Sequence, residues 1–209
     1  MNINTNHSVI KGILPILFFT IAFSAFSQES DFNVSMLEHQ AVYRGLINQI
    51  EINTTEDTSS FIVRCPNCIT FEKGSEMYTY NVHPGKGKYV EILITRKDST
   101  MIHSHKIPVL YLPNPVLFYG AVKSGNKCTP EAAVFFAKYP PQMNLTAEFE
   151  VVKWNVSIGN ESFAGEGKTL SKEAQEHLKS IEGNVTFSVL AIVKGQDGIN
   201  RKIGGAFSL

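Results

Sequence analysis

Met77–Val82 (MYTYNV) and Tyr89–Thr95 (YVEILIT), with His83-Pro84-Gly85-Lys86-Gly87 between them, decide the fold class. Tyr78, Tyr80 and Val82 recur at every second residue in the first stretch, and Val90, Ile92 and Ile94 do so in the second. A period of two lays one set of side chains on one face of a pleated strand, so both stretches read as half-buried strands. The segment between them, rich in proline and glycine, reads as a turn. Working outward, Ile47–Ile52 alternates weakly and Ser60–Arg64 is β-branched and aromatic. Short strands about ten residues apart, with turn signals between them, point to a β-sandwich.

Leu112-Pro113-Asn114-Pro115 marks a boundary. Two prolines around an asparagine cannot continue a ladder, and they stiffen the chain into an extended link. Residues 32–111 and 115–209 then form two units, each about the size of an immunoglobulin-type sandwich. The second contains strand candidates at Val116–Val122, Ala132–Ala137, Ala147–Ile158, Asn184–Val193 and Lys202–Leu209. One helix is expected near 172–181: Ser171 can cap it, Glu173 suits its first turn, and Gly183 ends it after Lys179. Ala174, Leu178 and Ile181 would form its buried stripe. The expected fold class is mainly all-β, two tandem immunoglobulin-like sandwiches, the second with one short helix.

The 209 residues include 19 basic and 19 acidic side chains, a formal net charge of zero. That balance lacks the electrostatic footprint of a protein that lives on phosphate backbones. Residues 1–27 read as an export signal: Lys11, then an uncharged apolar run from Ile13 to Phe26, then Ala25-Phe26-Ser27 before a cut ahead of Gln28. The run is short of the roughly 20 residues a spanning helix needs, although an uncleaved anchor is the other reading. The expectation is an exported chain, periplasmic or secreted, with no membrane span after cleavage.

Cys65, Cys68 and Cys128 are the thiol inventory. Cys65-Pro66-Asn67-Cys68 admits a zinc half-site, a redox pair or a disulfide clip. A zinc site needs further ligands at suitable spacing, and Cys128 alone does not complete one. A redox pair belongs at a helix N-terminus, whereas Ile69 to Gly74 reads as strand and turn. Pro66 and Asn67 suit the centre of a β-turn that brings the flanking residues within disulfide range. In an exported chain the Cys65–Cys68 clip is therefore favoured, with Cys128 free and buried; a bridge from one of the pair to Cys128 is the remaining alternative.

Other chemistry is sparse. His103-Ser104-His105 would share a strand face, but two imidazoles lack further ligands, and the simpler reading is a polar strand face or a turn. There is no Gly-x-Ser-x-Gly elbow and no His-Glu-x-x-His, and Gly165-Glu166-Gly167-Lys168 reads as a hairpin or pre-helix loop. Glu148 and Glu150 read as a solvated face. Trp154, alternating with Val152 and Val156, reads as core in preference to a sugar platform. No catalytic residue, metal site or cofactor is expected.

Four segments together resemble the periplasmic C-terminal region of GldM, the gliding-motility and type IX secretion protein of Bacteroidetes. Val42–Ile52 (VYRGLINQIEI) resembles the family's YxG…NPI opening of its third domain, and Ile107–Pro115 (IPVLYLPNP) its FRVKxLPDP bridge. Ala147–Trp154 (AEFEVVKW) resembles its ARFEVVSF strand, and Gly195–Gly204 (GQDGINRKIG) its closing GPDGxxRxLG hairpin. Pro108 and Leu110 stand where the bridge usually has basic residues, and Gln49 where proline is usual. The resemblance implies the family's third and fourth domains, two successive immunoglobulin-like sandwiches. In the family a transmembrane helix joins a proton-driven motor, while these distal domains contact outer-membrane ring components. The expectation is the contact-making end without the motor: a non-enzymatic protein-interaction module, its partner an envelope protein or a second copy. The alternatives are thiol–disulfide activity or carbohydrate binding.

Overall fold

The computed structural model describes residues 32–39 and 41–209, so the export signal expected at 1–27 lies outside the described residues. The first unit contains β1 (Asn33–Met36), β2 (Val42–Tyr43), β3 (Asn48–Asn53), β4 (Phe61–Arg64), β5 (Cys68–Lys73), β6 (Thr79–Pro84), β7 (Tyr89–Arg96) and β8 (Met101–Leu110). They form two sheets, ordered β1-β3-β6-β5 and β2-β8-β7-β4. Read in chain order, these are the A-B-E-D and G-F-C sheets of an immunoglobulin constant-type domain. The short β2 adds to β8 in parallel through Val42 opposite Val109.

The two stretches that decide the fold class belong to different sheets: β6 pairs with β3 and β5, and β7 with β4 and β8. Their apolar faces meet across the sandwich. Val82, Val90, Ile92 and Ile94 are fully buried with Ile50 and Ile52 of β3. Each such side chain contributes roughly 1.5–3 kcal/mol relative to exposure. Two boundaries differ from the sequence reading. Tyr78 has φ +66° and belongs to the turn before β6, while His83 and Pro84 end that strand.

The second unit contains β9 (Val116–Tyr119), β10 (Val122–Lys123), a 3-10 turn at Pro130–Ala132, β11 (Phe135–Lys138), β12 (Phe149–Ile158), β13 (Glu161–Glu166), α1 (Lys172–Ser180), β14 (Thr186–Gly195) and β15 (Asn200–Ser208). Its sheets are ordered β10-β9-β11 and β13-β12-β14-β15. The second order is C′-C-F-G of a variable-type domain, and α1 stands in the chain where the D and E strands would run. The chain is thus mainly all-β, two tandem immunoglobulin-like sandwiches with one helix in the second. Among the described residues no helix is long and apolar enough to cross a membrane.

Aromatic side chains fill this second core. Tyr119 lies 5.5 Å from Phe135 and 5.5 Å from Phe187, ring centre to ring centre. Its hydroxyl donates to the Pro130 carbonyl at 3.0 Å and accepts from the Ala133 N–H at 3.1 Å, so the buried ring keeps its polar tip paired. Ser171 caps α1 by accepting from the Ala174 N–H at 3.3 Å, and Ala174 and Leu178 face the core.

Four expectations for this unit need correction. Val116–Val122 is not one strand, because Gly120 at φ +55° reverses the chain and pairs β10 back onto β9. Ala132–Ala137 starts as a strand only at Phe135, since the 3-10 turn ends with Ala133 at φ 49°. A bulge between Val151 and Lys153 changes the phase of β12, so Trp154 shares its inward face with Val156 and Ile158 and not with Val152. Gly165 and Glu166 belong to β13 and not to a loop.

Gly165 stands opposite Trp154, and a Cβ built on it would overlap the indole ring. The missing side chain therefore makes room for the largest one on β12. Gly165→Val is expected to destabilise the protein by about 1–3 kcal/mol, read from the midpoint of denaturant unfolding; an unchanged midpoint would contradict this packing.

On β8, His103 stands opposite Ile94 and His105 opposite Ile92, so the imidazoles share the core-side face and not a solvated one. Their rings stack 6.0 Å apart. Burial, reinforced by His103, pushes the His105 imidazole below its ordinary value. The unfolded chain then takes up the proton first on acidification. The stability carried by neutral His105 is complete above 6.5 and is lost as pH falls through the lower folded value. The unfolding midpoint is expected to fall between about pH 7 and about pH 5, and to fall less in His105→Gln; equal falls would show that His105 is not responsible.

Candidate functional site

The two apolar cores are separate, one drawn from residues before the 111–115 link and the other from residues after it. What joins them is polar. Asp197 and Arg201, four residues apart in the β14–β15 hairpin, are ion-paired with side chains 0% and 5% exposed. Asp197 Oδ2 accepts the Leu112 N–H at 3.0 Å, and Arg201 Nη2 donates to the Leu112 carbonyl at 2.6 Å. A link residue with no strand partner thus has both backbone groups satisfied by one buried pair. Arg201 also donates through Nη1 to Asp197 Oδ1 and to the Ile199 carbonyl, both at 2.9 Å.

Around this pair the packing is aromatic. Arg201 lies over the Phe149 ring at 5.7 Å, and Tyr139 meets that ring edge-on at 5.2 Å. The Tyr139 hydroxyl donates to the Pro113 carbonyl at 2.8 Å, fixing the next link residue. Burial, opposed by Arg201, pushes the Tyr139 hydroxyl up to about 12, which keeps it a donor. Burial also pushes the Asp197 carboxyl upward, but hydrogen bonds from Arg201, Leu112 and Ile199 outweigh it and hold the group below its ordinary value.

The first sandwich presents loops to this hairpin. Asn48 is buried, and its amide accepts the Tyr43 N–H at 2.7 Å and donates to the carbonyls of Tyr43 and Leu46 at 3.0 and 2.9 Å. One side chain therefore shapes the Tyr43–Ile47 loop. Within that loop Gly45 has φ +81°, and the Gln196–Asp197 backbone sits where its Cβ would be, so glycine is required there on both counts. Arg44 donates to the carbonyls of Gly85 and Gly87, each at 2.7 Å, and lies over the Tyr111 ring at 5.1 Å.

Between the sandwiches lies a cleft of about 680 Å³. Glu38, His39, Leu46, Ile47 and His83 line one wall; Asn144, Thr146, Ala147, Glu148 and Gln196 line the other. Its acids and imidazoles do not make a metal centre: among the described residues no three His, Cys, Asp or Glu side chains are placed to hold an ion. The cleft offers carboxylates, amides and exposed aliphatic carbon, a set suited to binding.

The cysteines stand elsewhere. Cys65 and Cys68 are joined in a disulfide across a turn, with Cα atoms 5.5 Å apart. Asn67 within the turn donates to the Tyr89 carbonyl and accepts the Glu91 N–H, both at 2.9 Å, continuing the sheet beyond the end of β4. Strand β5 begins at Cys68, so no helix dipole acts on either sulfur. Cys128 is free and buried in the second core, and burial pushes its thiol up. Sequence reasoning quoted Asn48, Asp197 and Arg201 only as parts of familiar segments and gave them no role. The usable signal was a hairpin with Asp and Arg four residues apart beside an Asp-Gly turn.

No protein-family model matches the chain, and no curated protein matches it. Among solved structures it is similar to fibronectin(III)-like modules of Clostridium thermocellum CbhA, at 13% identity over 84% of this chain and 92% of that one, with a TM-score of 0.25. It is also similar to a cytokine receptor complex (8% identity, 85% and 95% covered, TM-score 0.25). The cadherin-like domains 1 to 4 of zebrafish RET are a third (10%, 87% and 52%, TM-score 0.23). At such TM-scores these likenesses add nothing to the strand order described above.

Removing one member of a buried pair strands the other charge, which costs about 3–5 kcal/mol. Arg201→Ala is expected to lose that much stability, whereas the double variant Asp197→Leu with Arg201→Met is expected to lose clearly less. Equal losses in chemical denaturation would show that charge pairing is not what holds the link.

Proposed function

We propose that this chain is a non-enzymatic protein-interaction module that works outside the cytoplasm, in the periplasm. Its partner is another envelope protein or a second copy of itself. The observation that carries the reading is the buried Asp197–Arg201 pair on Leu112, with the glycine-to-backbone contact at Gly45. These contacts tie the two sandwiches together beside the cleft that they line. A preorganised surface is what recognition requires, because little ordering remains to be done on binding.

The four GldM-like segments support placing the module with the distal, contact-making domains of that family, and hence with type IX secretion and gliding machinery. They include the residues that form this joint: Gly45 and Asn48 in the first segment, Leu112 in the second, and Asp197 and Arg201 in the last. The export signal read at 1–27 supports the compartment.

Photo-crosslinking in the native envelope, followed by mass spectrometry, tests the reading. A defined protein partner is expected from a photoreactive residue placed at Ile47. Absence of any partner from every exposed position tried, together with substrate turnover by the purified chain, would overturn it.

A further inference from the structure

We infer that the cleft takes an extended segment of a partner polypeptide in which basic and aliphatic residues alternate. The inference rests on the interaction-module reading and goes beyond it by naming the chemistry of the partner. Three features of the cleft point to such an occupant.

The first is backbone. Thr146 and Ala147 lie in the irregular segment that runs into β12, and neither has a backbone hydrogen-bond partner among the described residues. Strand pairing starts at Phe149, and the Glu148 N–H is met by the Gln196 side chain at 3.1 Å. Unpaired backbone running into a strand at a cleft wall is a template for one more strand.

The second is apolar surface. Ile47 on the opposite wall is 66% exposed, beside the half-buried Leu46. Solvating so large an aliphatic group has a cost that an aliphatic neighbour removes.

The third is charge. Glu38 and Glu148, one from each sandwich, are both exposed carboxylates, and among the described residues no lysine or arginine lines the cleft. His39 Nε2 lies 3.9 Å from Glu38 and is a counter-charge only when protonated. An added strand points alternate side chains to opposite sides. One set meets Leu46 and Ile47, and the other faces the mouth where the carboxylates stand. Lysine or arginine in the second set complements them.

The test uses the whole chain and two fluorescein-labelled octapeptides, one alternating valine with lysine and the other valine with glutamate, read by fluorescence anisotropy. The lysine peptide is expected to bind saturably and the glutamate peptide at least about tenfold more weakly. Ile47→Asp, and separately Glu38→Gln with Glu148→Gln, are each expected to weaken the lysine peptide by at least about tenfold. Ile192→Asp, on the outer face of β14, is expected to leave it unchanged; circular dichroism confirms that every variant folds. Equal binding of both peptides, equal binding by all variants, or no binding up to about 1 mM would overturn the inference. If an envelope partner crosslinks through Ile192 and not through Ile47, the cleft assignment fails while the interaction reading stands. If no exposed position finds a partner, no peptide binds and the purified chain turns over a substrate, both fail.

Discussion

A carboxylate and a guanidinium buried against each other at Asp197 and Arg201 are costly to dehydrate, and as a bare ion pair they would gain little over an apolar pair of similar volume. Their value lies in direction. Leu112 sits in a link that prolines exclude from any ladder, yet its N–H and carbonyl are buried and need partners. A leucine or methionine could fill the same space but could not bond both groups. The charged pair does, and it anchors the 111–115 link to the β14–β15 hairpin. The position of the second sandwich relative to the first, and every surface that spans them, depends on that joint.

The joint explains why the loops around it look as they do. Asn48 ties the Tyr43–Leu46 loop to the sheet, bonding Tyr43 and Leu46 and also the Val82 carbonyl, and Gly45 lets that loop touch the hairpin backbone. Arg44 draws the Gly85–Gly87 loop toward Tyr111 in the link. Exposed Ile47 is then presented opposite the irregular segment before β12, across a gap that neither sandwich could form alone. The disulfide plays a smaller part. It closes too short a loop to remove much chain entropy, and what it organises is the turn carrying Asn67.

Much of the fold was legible because burial leaves a periodic imprint. Val90, Ile92 and Ile94 mark one inward face, and Ser171, Ala174 and Leu178 mark a capped helix lying on a core. Misreadings came where a single backbone event changes the phase. The bulge at Val152 shifted the partners of Trp154, and Gly120 folded one apparent strand into two. Strand β13 escaped notice because it must be small where it crosses Trp154, so it carries little apolar signal.

The candidate site was far less legible. Cys65-Pro66-Asn67-Cys68 drew attention because its spacing is local, but Asp197 meets Leu112 across 85 residues. No local pattern encodes such a meeting.

Strand periodicity, the capped helix and the proline link can be read along the chain because each reflects interactions among neighbours within a few residues. That is enough to specify all-β construction and two units. Which residues would share a cleft, which aspartate would be buried and which histidines would turn inward could not be read that way. Those facts arise from how sheets stack and how one sandwich docks on the next, where the contacts are set by three-dimensional packing between segments far apart in the chain.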